Sequence, residues 1–243
     1  MKVEICCGSY EDGMYAFKAN AERIELNSAL FLGGLTPSIG SLELLKRNTD
    51  LEIICMVRCR PGGFIYTQLE YAQMVAELYE LLEKGADGIA FGFLNPDNTI
   101  NVERTEYFTS IIHSYGKIAV FHRAIDVCND YNTAIETLIS LKVNRILTSG
   151  QEDTAINGIS KIKYAQENYG DKIEILAGSG IRGKNVKNFV MESGVTQVHT
   201  SCRNYKKDPS SIKGSVSFDY SDKKEFYEVV DYDQICELLE VVK

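Results

Sequence analysis

The chain has 243 residues, 44% hydrophobic and 25% charged, a balance and length that suit one large α/β domain. Its formal net charge of -8 argues against a nucleic-acid-binding surface, and no apolar run is long enough to span a bilayer. Seven cysteines without a CxxC pair, and a start at Met1-Lys2-Val3 with no export signal, predict reduced thiols in a cytosol and no structural zinc.

Short β-rich runs recur along the chain, each followed by a polar or glycine-containing loop and a helical stretch. The runs cover residues 3–7, 23–27, 52–58, 88–92, 117–122, 145–148, 173–177 and 197–201. Strands alternating with helical patterns predict βαβ units and a parallel sheet. The even-numbered runs are approached alike: Asn20-Ala21-Glu22-Arg23, Gly85-Ala86-Asp87-Gly88, Lys142-Val143-Asn144-Arg145 and Gly194-Val195-Thr196-Gln197 each close a helix and turn into a strand. Eight such units predict a (β/α)8 barrel as a single domain over residues 1–243.

The helical pattern is strongest over residues 67–83. There Ala72, Val75, Ala76, Tyr79 and Leu82 form an apolar stripe, and Gly85 follows as a stop. Thr36 reads as an N-cap with Pro37 at the first helical position. Asp130 or Asn132 caps the helix that runs through Ile135 and Leu138, and residues 231–242 form the last helix. Between them, residues 204–227 carry the turn chemistry of Lys206-Lys207-Asp208-Pro209-Ser210-Ser211 and read as a long loop after the eighth strand.

Active sites of such barrels are built from the C-terminal ends of the strands. The fifth strand runs straight into His122, Arg123 and Asp126 there. Period-two alternation adds Glu4 and Cys6 from strand one, Glu25 and Asn27 from strand two, Arg58 from strand three and His199 from strand eight. Glu4, Glu25, Arg58, His122, Asp126 and His199 are therefore the candidate catalytic groups. Gly178, Ser179 and Gly180 would let the backbone approach an anion, with Arg60, Arg123 and Ser201 completing its site and Arg182 or Arg203 nearby. His122 is favoured as general base unless burial raises the pKa of Glu25. Cys6 and Cys7 are the natural metal ligands, since thiolates suit Cu(I) and Zn(II); a pair of buried core cysteines is the alternative.

Taken in order, Glu4-Ile5-Cys6, Arg23-Ile24-Glu25-Leu26, Gly33-Gly34-Leu35-Thr36-Pro37-Ser38, Arg60-Pro61-Gly62-Gly63, Phe121-His122-Arg123-Ala124, Ile146-Leu147-Thr148-Ser149-Gly150 and Val198-His199-Thr200-Ser201 closely resemble the CutC family. The resemblance covers roughly the first 200 residues. It implies a (β/α)8 barrel, a cytoplasmic location, a homo-oligomer and a role in copper homeostasis with copper(I) as the bound ion. The cysteine pair proposed to hold Cu(I) in some members ends strands one and two. Here the first position is Cys6, but the second is Asn27, an amide that Cu(I) disfavours against sulfur. Cys7 faces the other way from Cys6, and Cys202 is a further partner after strand eight. Two readings follow: a cytoplasmic protein that binds Cu(I), and an enzyme acting on a small anionic or phosphorylated metabolite, with no nucleic acid or membrane partner in either.

Overall fold

The computed structural model describes residues 1–219 and 223–242. Eight parallel strands close into a barrel: β1 Lys2–Cys7, β2 Arg23–Leu26, β3 Glu52–Met56, β4 Gly88–Phe91, β5 Ile118–Phe121, β6 Arg145–Thr148, β7 Glu174–Ala177 and β8 Gln197–Thr200. Each pairs with its sequence neighbours, and β8 closes on β1 through Glu4↔His199. Between them run α1 Tyr10–Lys18, α2 Ile39–Asn48, α3 Gln68–Glu83, α4 Val102–Ser114, α5 Tyr131–Ser140, α6 Ile159–Tyr169 and α7 Gly183–Ser193, with α8 Tyr232–Val242 following the last strand. This is a (β/α)8 barrel. No helix among the described residues is long and apolar enough to cross a membrane.

Local chemistry sets the helix starts. Thr67 and Glu70 form a capping box on α3, each side chain satisfying the other's backbone N–H. Asp130, not Asn132, caps α5, accepting from the Thr133 amide at 2.7 Å. The expectation for Thr36-Pro37 is overturned, because α2 begins two residues later with Ser38 as its cap. Thr36 instead ties three elements together. Its hydroxyl accepts from the Arg58 amide at 3.0 Å and donates to Glu77 at 2.6 Å, an alternative that a sequence reading of caps does not see.

The expected long loop at residues 204–227 is also corrected; residues 220–222 of that stretch lie outside the described ones. β9 Arg203–Lys207 pairs antiparallel with β12 Phe226–Val230, while β10 Ile212–Lys213 and β11 Val216–Ser217 form a short hairpin. The turn residues 208–211 punctuate this ribbon rather than dissolve it.

Most of the core lies between barrel and helices, where the outward-facing strand residues meet the helices' apolar stripes. Phe91, Phe93, Phe108 and Phe121 are its aromatic centre, with Phe93 and Phe108 edge-to-face at 4.7 Å. Burial of each such side chain contributes roughly 1.5–3 kcal/mol. The barrel interior is divided. On the β3–β5 side Ile54, Met56, Ala90 and Val120 form a small apolar plug. Gly88 admits it, since a Cβ there would lie 2.6 Å from Ile54 Cδ1. Much of the rest of the interior is charged, with Leu147 and Leu176 buried beside it.

Candidate functional site

On β1, β2, β6, β7 and β8 the inward positions hold a buried ion-pair column. Arg23, fully buried, places Nε 2.8 Å from Glu4 and donates to Gln197 at 2.8 Å. Arg145, equally enclosed, pairs with Glu174 at 2.6 Å and sits 3.8 Å from Glu4. Charges this deep persist only where each has a partner. The column rises toward the C-terminal end of the barrel. His199 Nδ1 lies 2.8 Å from Glu4, and its Nε2 lies 4.0 Å from Glu25. Glu25 in turn accepts from Asn27 at 2.9 Å and from the Cys6 thiol at 3.7 Å.

Above this column is a cavity of about 460 Å³. Glu25, Arg58, His122, Arg123, Asp126 and His199 line it, together with Ser179, Gly180 and Ser201. Cys6, Asn27, Phe64 and Arg182 complete the wall. Glu4 does not reach it. Because Glu4 pairs with His199 across the β1–β8 ladder while Cys6 pairs with Glu25, Glu4 lies one layer down and touches the cavity only through His199. Gly178 and Arg60 are also absent from the lining. The Gly178 N–H donates to the Thr148 carbonyl, and its missing side chain makes room for Leu147 and His199. Arg60 folds back onto Glu70 and the carbonyls of Pro61, Gly63 and Ile65, which turns it away from the cavity. Cys7 and Cys202 are buried on the other side of the barrel wall and bring no second sulfur to Cys6.

The lining groups differ in how free they are. Asp126 is fully committed. It accepts from Arg123 at 2.8 Å, from Thr148 at 2.6 Å, and from the amide and hydroxyl of Ser149 and the amide of Gln151. It clamps the loop after β6, and Arg123 is drawn into the same clamp through Ser149. Arg58, by contrast, is a buried guanidinium with no carboxylate partner among the described residues. It donates to the carbonyls of Leu32, Gly34 and Gly62, and the buried Tyr66 hydroxyl is a further side-chain partner. Among the described residues Arg182 likewise forms no ion pair, and its side chain reaches Ser201 at 3.3 Å. Ser179 and Gly180 both take left-handed φ values, 78° and 76°, and among the described residues nothing accepts from either amide. A non-glycine residue held there at a cavity wall is the kind of local strain that marks a binding site. The hydroxyl bond from Ser179 to the Asp153 carbonyl at 2.7 Å holds it.

Burial and neighbours separate the acid–base properties. At Glu4 burial favours the neutral acid, but the His199 hydrogen bond and the charges of Arg23, His199 and Arg145 outweigh it and keep the carboxyl below its ordinary pKa. At Glu25 burial wins over the His199 charge and the bonds from Asn27 and Cys6, and the pKa is raised. His199 shows the reverse balance: burial opposes its proton, yet the bond to Glu4 and the charges of Glu25 and Glu4 lift it above 6.5. Burial and then the Glu25 charge push the Cys6 thiol well up. Burial and then Arg58 bring His122 down to about 3. Burial thus raises the Glu25 pKa, the exception allowed for in the sequence reading, and it takes His122 away from the neutral range.

Two participants had escaped the sequence reading. Phe64 packs against the His122 ring at 4.8 Å and lies under the Arg58 guanidinium at 5.4 Å. Gly92 is required by the same ring, since a Cβ there would lie 2.4 Å from His122 Cε1. Gly92 could have been found by carrying β4 alternation one step past its end, which puts a side-chain-free position next to His122. Phe64 sits in a loop and leaves no such signal.

Cys6 Sγ, a Glu25 oxygen and a His199 nitrogen all lie within 4.8 Å of one another, so these three could hold a metal ion. Glu4 on Nδ1 leaves Nε2 as the ligating atom, the carboxylate–histidine arrangement that orients metal-binding imidazoles. Asn27 directs its amide nitrogen at Cys6 Sγ, 3.6 Å away, and nitrogen in that form donates rather than ligates.

Residues 1–204 match the CutC family. A CutC family protein from Treponema denticola is 47% identical over 211 residues, spanning 87% of this chain and 85% of its own. The copper homeostasis protein cutC homolog of Caenorhabditis elegans is 37% identical, over 89% of this chain and 86% of its own. Among solved structures, a CutC protein from Streptococcus agalactiae superimposes with a TM-score of 0.77 at 30% identity, covering 82% of this chain and 97% of that one.

Proposed function

The chain belongs to the CutC family, and we propose that its barrel mouth binds a small anionic metabolite and performs acid–base chemistry on it. One observation carries this reading. A buried, carboxylate-free guanidinium, Arg58, shares a single cavity with Arg182, with the unaccepted amides of Ser179 and Gly180, and with Glu25, whose pKa is raised. A buried charge that has only neutral partners is costly, and an anionic ligand relieves that cost. A carboxyl tuned toward neutral pH in a cleft is the ordinary signature of a general base or acid. Glu25 is that group here, and Cys6 and Asn27 hold its proton-accepting oxygen in place. His199, fixed by Glu4, sets the charge Glu25 faces. The phosphate end of a ligand seats on Ser179, Gly180, Arg182 and Ser201.

A thermal-shift series with phosphate, pyruvate and sugar phosphates tests this. A ligand at 100 times its dissociation constant adds about 2.7 kcal/mol of stability. The shift is expected to vanish in Arg182→Ala and to persist in Arg60→Ala. No shift with any anion would sink the reading.

The names of the relatives point to copper homeostasis, and the closeness of Cys6, Glu25 and His199 favours a second reading in which this chain binds copper in the cytoplasm. Cys6 and His199 Nε2 are the donors suited to Cu(I), with Glu25 adding charge, and a bound ion would act by drawing the Cys6 proton off its raised pKa. With one sulfur in place of two, the affinity is set below that of a dithiolate site.

A further inference from the structure

We propose that Arg58, His122 and Phe64 form a cradle for a planar oxygen group of the ligand, a carboxylate or carbonyl, in which His122 serves as a neutral N–H donor and not as a base. The proposal deepens the anion-binding reading above, since it names a second chemical group on the same ligand.

The tautomer follows from geometry. The His122 ring caps the short 3-10 turn Arg123–Val127, and its Nδ1 accepts from the Ala124 amide at 3.2 Å. A nitrogen that accepts carries no proton, so the neutral ring bears its hydrogen on Nε2. That Nε2 is buried and has no partner among the described residues, although the side chain lines the cavity. Arg58 lines the same cavity as a buried guanidinium with no carboxylate partner among the described residues. A buried donor without an acceptor, beside a buried guanidinium without a countercharge, is rare in folded proteins and calls for an acceptor from outside the chain.

The protonated ring is excluded on both flanks. Burial and then the positive charge of Arg58 hold His122 near 3, and among the described residues no carboxylate forms an ion pair with it. On its own turn Arg123 is paired with Asp126, and from the β4 side the Phe91 carbonyl and the Gly92 backbone face the histidine. With Nδ1 occupied and protonation disfavoured, His122 can neither take a proton at neutral pH nor carry a charge. It can donate one hydrogen bond at fixed orientation.

The shape fits a flat acceptor. The Phe64 ring lies 4.8 Å from the His122 ring and 5.4 Å from the Arg58 carbon, so a planar group set along its face meets both donors. Gly92 fixes the histidine from behind, because any side chain there would overlap the ring. Phe64 and Gly92 are positioning residues; Arg58 and His122 touch the ligand.

Solution NMR of the full chain labelled uniformly with 15N tests this directly, as only three histidines are present and the backbone amides are read in the same sample. We expect His122 to remain the Nε2–H tautomer without titrating from about pH 5 to 9, given its displacement far below the usual value. Added pyruvate should shift its Nε2–H signal, whereas inorganic phosphate should shift the Ser179 and Gly180 amides and leave His122 alone. His122→Gln, which keeps an N–H donor, should bind pyruvate within about threefold of wild type. His122→Phe should lose about tenfold or more, as expected for one hydrogen bond to a charged acceptor. An imidazolium or Nδ1–H form at pH 7, a signal unmoved by pyruvate, or phosphate seating on His122 would each overturn the cradle. Pyruvate at His122 with no phosphate at Ser179 and Gly180 would leave the cradle standing while removing the phosphate end of the proposed ligand.

Discussion

Replacing Arg23 by alanine removes the centre of the buried charge column. Arg23 is fully enclosed, with Glu4 at 2.8 Å, Gln197 at 2.8 Å and Glu52 at 4.0 Å. Its loss leaves Glu4 in the barrel interior with only His199 and, 3.8 Å away, Arg145 to balance it. Removing one partner of a buried pair costs about 3–5 kcal/mol, because the remaining charge stays desolvated. For a chain of this length each kcal/mol lowers the melting temperature by about 2–4 °C, so a fall of roughly 6–20 °C is expected. Urea unfolding followed by circular dichroism measures the free energy. The double variant Arg23→Met with Glu4→Gln keeps the volume and removes both charges, and it should recover at least half of the loss, a coupling of about 2 kcal/mol. A single-variant cost under about 1.5 kcal/mol, or a double variant worse than the sum of its parts, would show that the column is solvated and that this energetic reasoning is wrong.

Two further outcomes are expected. Below its ordinary value of 6.5 the unfolded chain protonates His122, whereas the folded chain does so only near 3; the unfolded state then binds more protons, and stability falls as pH drops through that window. The difference between wild type and His122→Gln should therefore carry a slope approaching about 1.4 kcal/mol per pH unit between about pH 6 and 4 in urea titrations, and a flat difference would refute the buried neutral ring. In anaerobic competition against a Cu(I) chelator, Asn27→Cys should raise the affinity about tenfold or more and Cys6→Ser should abolish binding, since Cu(I) prefers sulfur; tight wild-type binding untouched by the new cysteine would mean that Asn27 does not matter.

The barrel was legible because each strand pairs a β-rich run with a helical pattern, and no local chemistry contradicts it. Inward facing was legible too, since period two puts Glu4, Cys6, Glu25 and Asn27 on one side of their strands. Height was not. Whether Glu4 reaches the mouth depends on the β1–β8 register, which matches Glu4 to His199, and register is a tertiary quantity. Alternation also stops at the strand end. Arg58, two residues past β3, still projects inward, but Arg60 lies in a loop whose carbonyls and Glu70 capture it. Asp126 looked like a catalytic orienter from its nearness to His122, yet it clamps the β6 loop instead, a partnership between segments 23 residues apart. The ribbon of Arg203–Lys207 and Phe226–Val230 was hidden by the polar turn between its strands, and a pairing across nearly twenty residues leaves no short-range pattern.

The divided interior joins stability to chemistry. An apolar filling of β1, β2, β6, β7 and β8 would often be as stable as the ion pairs or more so, because desolvating charges consumes most of what their attraction returns. What the charges supply is a fixed field. Arg23 and Arg145 keep Glu4 ionised, and ionised Glu4 holds the proton of His199 Nδ1. A protonated His199, 4.0 Å from Glu25, works against burial and limits how far the Glu25 pKa can rise. On the opposite wall the apolar plug and Phe64 do the reverse, keeping His122 neutral beside Arg58. The two walls thus give one cavity a carboxyl that can exchange a proton and an imidazole that cannot. A ligand lying between them would lose a proton on the Glu25 side while its oxygen is held on the His122 side, and exchanging the two environments, rather than the two residues, would abolish that polarity.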